Sequence, residues 1–257
     1  MPDSISKSGL WKMQEDYYRT MGVRAWDDRT PFYVTNSLVI AEAYAHLILS
    51  FLLDFPVDPE EPLYLLELGT GTGRFGYHLT RELKRKLACF PQTRDVRFTL
   101  VMTDVVKDNL RFWEAHERLA PLGEHLDFAL FRPEHENTLK LRKSGKTLER
   151  VKNPLIVLAN YFFDSIRHDE FHCDQGRVEE CLIDIVRKPK LMHSTRHRLD
   201  IRDVEVQRTY RPVDPETRYD NPEWNRILCG YRDTVQAGAV TLPVGGLRSL
   251  ANLRSLG

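Results

Sequence analysis

Leu65-Leu66-Glu67-Leu68-Gly69-Thr70-Gly71-Thr72-Gly73-Arg74-Phe75 is the stretch on which the fold turns. An apolar run ends near a single acid, glycine then alternates with small residues, and a helical pattern starts at Arg74. Glycine has no Cβ and accepts positive φ, so such a turn lets backbone pass close to a bound ligand. The helix behind it presents unpaired N–H groups to a negative group. Outward from the turn, Leu63–Leu68 reads as a buried strand by its length and by the prolines at 56, 59 and 62. The pattern then predicts a helix over 74–87, a strand over 96–103 ending at Asp104, and a helix over 107–119. Further strands are expected over 125–131, over 154–159 ending at Asn160, and over 178–186. Upstream, Thr35, Asn36 and Ser37 are N-cap types in front of a helix reaching about Leu53.

Strands alternating with helices imply βαβ units and a parallel sheet, and wholly apolar strands imply that both faces are covered. Right-handed crossovers put the carboxyl ends of the strands on one edge, where open α/β sheets bind ligands. Glu67, the glycines, Asp104, Phe131 and Asn160 all fall on that edge.

Composition narrows the choices. The 257 residues are 42% hydrophobic and 29% charged, which excludes wholesale disorder. With 37 Lys+Arg against 37 Asp+Glu there is no global attraction to nucleic acid or to an anionic membrane. The four cysteines are too few for a disulfide scaffold and read as reduced intracellular thiols. Met1–Gly9 lacks the apolar segment of a signal peptide. The apolar stretch 38–53 is short for a membrane span and carries Glu42 and His46, so it reads as a buried helix. His168, His172, Cys173 and Cys181 match no paired-ligand spacing, so no metal is expected. The chain has neither a nucleophile elbow nor a phosphate loop of the G-x-x-x-x-G-K-[ST] type. Its scattered Trp and Tyr residues define no base-stacking platform.

Two patterns compete at the glycine turn. Gly71–Gly76 spells G-x-G-x-x-G, a dinucleotide fingerprint. The longer pattern, with Glu67 two residues before Gly69, resembles the first motif of class I S-adenosylmethionine-dependent methyltransferases. An acid at the turn suits a cationic amino-acid moiety and repels a pyrophosphate, which favours the second pattern over a nicotinamide cofactor. Asp104 can accept from a ribose diol in either case, or cap the helix that follows.

The segment Ala159-Asn160-Tyr161-Phe162-Phe163-Asp164-Ser165-Ile166 is the discriminating part. It resembles the A-N-E-F-F-D-A-L signature of the MidA-like family, which contains the mitochondrial complex I assembly arginine methyltransferase. Phe32–Ser37 resembles that family's aromatic-x-Thr-Ser segment, and the likeness runs from about Pro31 to Phe171. The resemblance implies a Rossmann-like class I methyltransferase sheet with helices on both faces, an N-terminal helical segment and a cap-like C-terminal region. It implies S-adenosylmethionine held by Thr35, Glu67, Gly69, Gly71, Gly73 and Asp104, and catalytic roles for Asn160 and Asp164. It also implies a protein side chain as acceptor, arginine in the best-known member. Tyr161 departs from the family's glutamate, and no acid closes the strand at Phe131, although Glu134 or Glu136 could serve. The family sheet continues into two strands beyond a helix like 247–253, where this sequence stops.

The expected division is an N-terminal segment over 1–35, a cofactor-binding domain over 36–187, and an insertion or cap with C-terminal helices over 188–257. Arg187–Arg211 is strongly basic and reads as a solvated surface or a substrate-facing insertion. The expected function is methyl transfer to a protein, with no nucleic-acid or membrane partner, inside the cell, in the cytoplasm or by family likeness the mitochondrion. The alternative is a non-catalytic S-adenosylmethionine-binding or interaction protein derived from such an enzyme.

Overall fold

The computed structural model describes residues 2–26, 33–188 and 203–257. In chain order the elements are β1 (Asp3–Ser4), α1 (Leu10–Met21), α2 (Leu38–Asp54), β2 (Leu63–Glu67), α3 (Arg74–Ala88), β3 (Phe98–Asp104) and α4 (Lys107–Glu114). There follow β4 (Leu126–Leu130), β5 (Leu139–Lys140), β6 (Thr147–Leu148), β7 (Ile156–Leu158), β8 (Asp169–Asp174) and β9 (Arg177–Arg187). The chain closes with β10 (Val204–Pro212), α5 (Pro222–Thr234), β11 (Ala237–Leu242) and α6 (Val244–Leu256).

Two compact units emerge. One is Tyr18–Phe162 with Arg248–Gly257, and the other is the chain up to Tyr17 with Phe163–Leu247. These divisions differ from the sequence boundaries at 35 and 187, because strands distant in sequence pair with one another.

The first unit holds the parallel sheet, in the order β4-β3-β2-β7. All five residues of β2 are buried, because each face has its own cover. Leu63 and Leu65 pack into one core with Ala41, Ile48 and Leu52 of α2 and Leu79 and Leu83 of α3. Tyr64 and Leu66 point the other way, into a core with Leu139, Leu141, Leu148 and Val151 around the β5–β6 hairpin and Leu253 and Leu256 of α6. Burying each such leucine stabilises the unit by about 1.5–3 kcal/mol. The basic stretch 140–152 is therefore a hairpin with an apolar underside. Helix α2 starts where its cap predicts: the Ser37 hydroxyl accepts the Ile40 N–H.

The second unit is antiparallel. Strand β9 bonds along one edge to β10 and along the other to β8 and then β1, while β11 pairs with β8. The segment expected as a fifth parallel strand is thus β9 in a different sheet. A two-residue turn at Gln175-Gly176, with φ of 45° and 81°, joins β8 to β9. Positive φ at both positions matches the twist of a tight hairpin. Phe171, Cys173 and Val178 pack on Leu228 of α5 and Leu242 of β11. Strands β8, β10 and β11 were not expected. In β10 only Val204 is buried, so the strand rests on its ladder with β9 and has no apolar pattern. The expected helix over 107–119 ends at Glu114. Most of the basic stretch, residues 189–202, lies outside the described residues.

Among the described residues no helix is long and apolar enough to cross a membrane. Nor do three His, Cys, Asp or Glu side chains there gather as metal ligands.

Candidate cofactor cleft

The glycine turn is stitched to the strands on both sides. Leu68 N–H donates to Leu158 O at 2.9 Å, and Thr70 N–H donates to Thr103 O at 2.9 Å. The Thr103 hydroxyl donates to Glu67 O at 2.7 Å. Gly69, Gly71 and Gly73 have φ of 64°, 59° and 80°, a conformation that L side chains rarely adopt. Gly73 caps α3, and a Cβ there would lie 3.0 Å from both Met102 Cε and Trp113 Cδ1. The Trp113 indole N–H donates to Gly71 O at 3.0 Å.

Asp104 stands behind this turn. Its Oδ2 accepts Gly71 N–H at 3.2 Å and the Asn109 amide at 2.9 Å, and its Oδ1 accepts Val106 N–H at 3.0 Å. Burial pushes its pKa up, with these hydrogen bonds opposing. A carboxylate has about four acceptor sites, and three are used. The structure therefore gives Asp104 the job of holding the turn, and it does not line the cleft.

Glu67 is the exceptional group. It is 6% exposed, and its Oε2 has no hydrogen-bond partner among the described residues. Burial first, and then the Asp104 charge, push its pKa to about 8, against the Thr70 hydroxyl. Gly76 makes room for it, since a Cβ at 76 would lie 2.8 Å from Glu67 Oε2. The sixth residue of the G-x-G-x-x-G spacing thus accommodates a buried carboxyl.

A cleft opens in front of the turn, lined by Trp26, Thr35, Glu67, Gly69–Thr72, Asn160 and Tyr161. It lies at the carboxyl ends of β2 and β7. Strands β3 and β4 extend from one side of β2 and β7 from the other, so this is the topological switch point where such sheets bind ligands. A larger hollow of about 260 Å³, among Pro62, Tyr64, Thr99, Leu126 and Lys143, lies at the opposite strand ends, away from the glycines.

Asn160 Oδ1 accepts the Tyr44 hydroxyl at 2.6 Å. Next to it, Tyr161 has φ of 50°, which costs about 1–3 kcal/mol in a residue other than glycine. Of the residues expected in the site, Thr35, Glu67, Gly69, Gly71 and Asn160 meet at the cleft, while Gly73 and Asp104 support it from behind. Asp164 is exposed on the short 3-10 turn Phe163–Ser165 and belongs to the other unit. Glu136 Oε2 accepts Arg132 N–H at 2.6 Å. Trp26 and Tyr44 were missed. The one hint of Tyr44 was a hydroxyl in the middle of an apolar helix.

Two solved structures share this fold. One is a superfamily member from Burkholderia thailandensis, described as a "likely methyl transferase" and bound to S-adenosyl-homocysteine. It aligns with a TM-score of 0.56 at 16% identity, over 99% of this chain and 54% of that one. The other, an uncharacterized protein of the same superfamily and organism, aligns at 0.53 and 15% identity, over 97% of this chain and 53% of that one. The chain spans about half the length of these structures. At such identity the likeness is one of fold: mixed α/β with a parallel sheet. No protein-family profile and no curated protein matches the chain.

Proposed function

We propose that this chain binds S-adenosylmethionine and transfers its methyl group to a protein side chain, with arginine the acceptor type the sequence resemblance suggests. The observation that carries the reading is Glu67, a buried carboxyl with an orphan oxygen, beneath three left-handed glycines at the switch point of a parallel sheet. An orphaned buried oxygen calls for a donor, and the ammonium of a methionine moiety supplies one with charge. A pyrophosphate would meet the same carboxyl without gain. The solved structure bound to S-adenosyl-homocysteine supports the reading by fold.

The cofactor would supply a sulfonium methyl for in-line displacement, and the protein's task is alignment, which is worth several kcal/mol of barrier. Thr35 and the glycine backbone would bind, and Asp104 would keep the Gly71 amide in place. Tyr44 fixes the Asn160 amide by its oxygen, leaving its nitrogen to meet ligand or acceptor.

A second reading, a non-catalytic cofactor-binding or interaction protein, has its own support. Among the described residues Glu67 is the only carboxylate lining the cleft, and at neutral pH it is mostly protonated. Tyr161 also stands where the resembled family carries glutamate.

Calorimetric titration with S-adenosylmethionine, S-adenosylhomocysteine and NAD tests both readings. Saturable binding of the first two alone is expected. Binding without methyl transfer to any protein or peptide acceptor selects the second reading, and NAD binding overturns both.

A further inference from the structure

The face of Gly71 that lacks a Cβ is already covered, by the indole of Trp26. A Cβ built on Gly71 would lie 2.8 Å from Trp26 Nε1 and 3.2 Å from Cδ1 and Cε2. The indole therefore rests on the turn at van der Waals contact. It also stacks with Tyr18, ring centroids 5.9 Å apart and planes 21° from parallel. The open space left in the cleft is about 30 Å³, room for a water or two. Pockets for ligands of drug size enclose roughly 300–1,000 Å³. One glycine face cannot hold an indole and a ligand at once.

We infer that Trp26 and the cofactor compete for the same face of Gly71, so that the described conformation is self-occluded and binding requires the indole to leave the turn. This rests on the cofactor reading above. The apparent affinity is then the intrinsic affinity reduced by the fraction of molecules with Trp26 displaced. Tyr18 strengthens the occlusion, because its stacking on Trp26 is lost when the indole moves.

Wild type, Trp26→Ala and Tyr18→Leu would each be titrated with S-adenosylhomocysteine, with the fold checked by circular dichroism. Trp26→Ala is expected to bind about three- to tenfold more tightly, the ratio one lost aromatic pair corresponds to. Tyr18→Leu should shift affinity the same way by less. Stopped-flow association should level off at high ligand concentration in wild type, where the indole's departure limits the rate, and rise linearly in Trp26→Ala. Equal or weaker binding by a folded Trp26→Ala overturns the competition and leaves the cofactor reading standing, with Trp26 a wall of the pocket. Absence of binding by all three folded proteins removes the cofactor reading and the competition with it.

Discussion

Two buried glutamates, one in each unit, are treated in opposite ways. Glu180 on β9 is fully buried and saturated: its carboxylate accepts the Ser4 hydroxyl at 2.6 Å, Arg211 at 2.9 Å, and Arg218 through both Nε and Nη2. Burial pushes its pKa up, yet the hydrogen bonds from Arg218, Ser4 and Arg211 and the Arg218 charge outweigh that and leave it lowered. Glu67 at the end of β2 is almost as buried, has one oxygen with no partner among the described residues, and is pushed up to about 8. A carboxylate that holds a fold together is given its donors by the chain. One left wanting at the carboxyl edge of a sheet is not, and an unmet buried acceptor costs about 1–3 kcal/mol.

The comparison breaks most easily at Glu180. Glu180→Ala would strand Arg218, whose side chain is only 14% exposed, and breaking a buried pair from one side costs about 3–5 kcal/mol. Urea denaturation should show that loss. A loss below about 1 kcal/mol would mean that the clasp of Ser4, Arg211 and Arg218 is decoration.

The pH dependence should differ in sign between the two. Glu180 has a lowered folded pKa, so its stabilisation is present above the ordinary glutamate range and disappears as pH falls through the folded value. Glu67 has a raised one, so its contribution is complete below about 4.5 and is lost as pH rises toward 8, by an amount on the order of a few kcal/mol. Asp104 is raised too and adds to that slope. Stability measured from pH 5 to 8.5 should decline in wild type and decline less in Glu67→Gln. Parallel curves for the two proteins would place Glu67 among ordinary exposed acids.

What could be read from the sequence divides along the same line. Strands β2, β3, β4 and β7 are apolar runs with sharp punctuation, and the sequence locates them to within a few residues. Strand β9 is legible as a strand, but its partners are not, because an antiparallel neighbour and a parallel one demand the same side chains. Strand β8 buries Asp169 beside Phe171 and Cys173, β11 exposes Ala237, Ala239 and Thr241 and buries only Leu242, and β10 leans on its ladder alone. In the site, Glu67 and the glycines are contiguous and announce themselves. The Tyr44–Asn160 bond spans 116 residues, and the Trp26–Gly71 contact reaches across α2 and β2, so no local pattern reports either.

Ligand binding sharpens the contrast at the next scale. Glu67→Gln should weaken S-adenosylmethionine binding by about 1–3 kcal/mol, the worth of a charge-assisted hydrogen bond. Wild-type binding should release protons near pH 7, because the carboxyl must ionise to meet an ammonium. Calorimetry in two buffers of different ionisation enthalpy reads that release directly. No proton release would mean that Glu67 stays neutral and serves the turn alone.

The smallest effect tests whether the cleft is organised beyond the glycine turn. Tyr44→Phe removes one hydrogen bond to Asn160 and leaves the ring packed edge-on against Phe75, 5.4 Å between centroids. The expected loss of stability is about 0.5–1.5 kcal/mol, the net worth of one such bond. If Asn160 serves only to end β7, the loss is confined to stability, and S-adenosylhomocysteine affinity stays as in wild type. If the fixed amide meets the ligand, affinity falls as well, because an Asn160 side chain without its Tyr44 anchor must be ordered on binding. Measuring both quantities on the one variant separates an amide that closes a strand from an amide held ready for a partner, the distinction Glu180 and Glu67 draw for carboxylates.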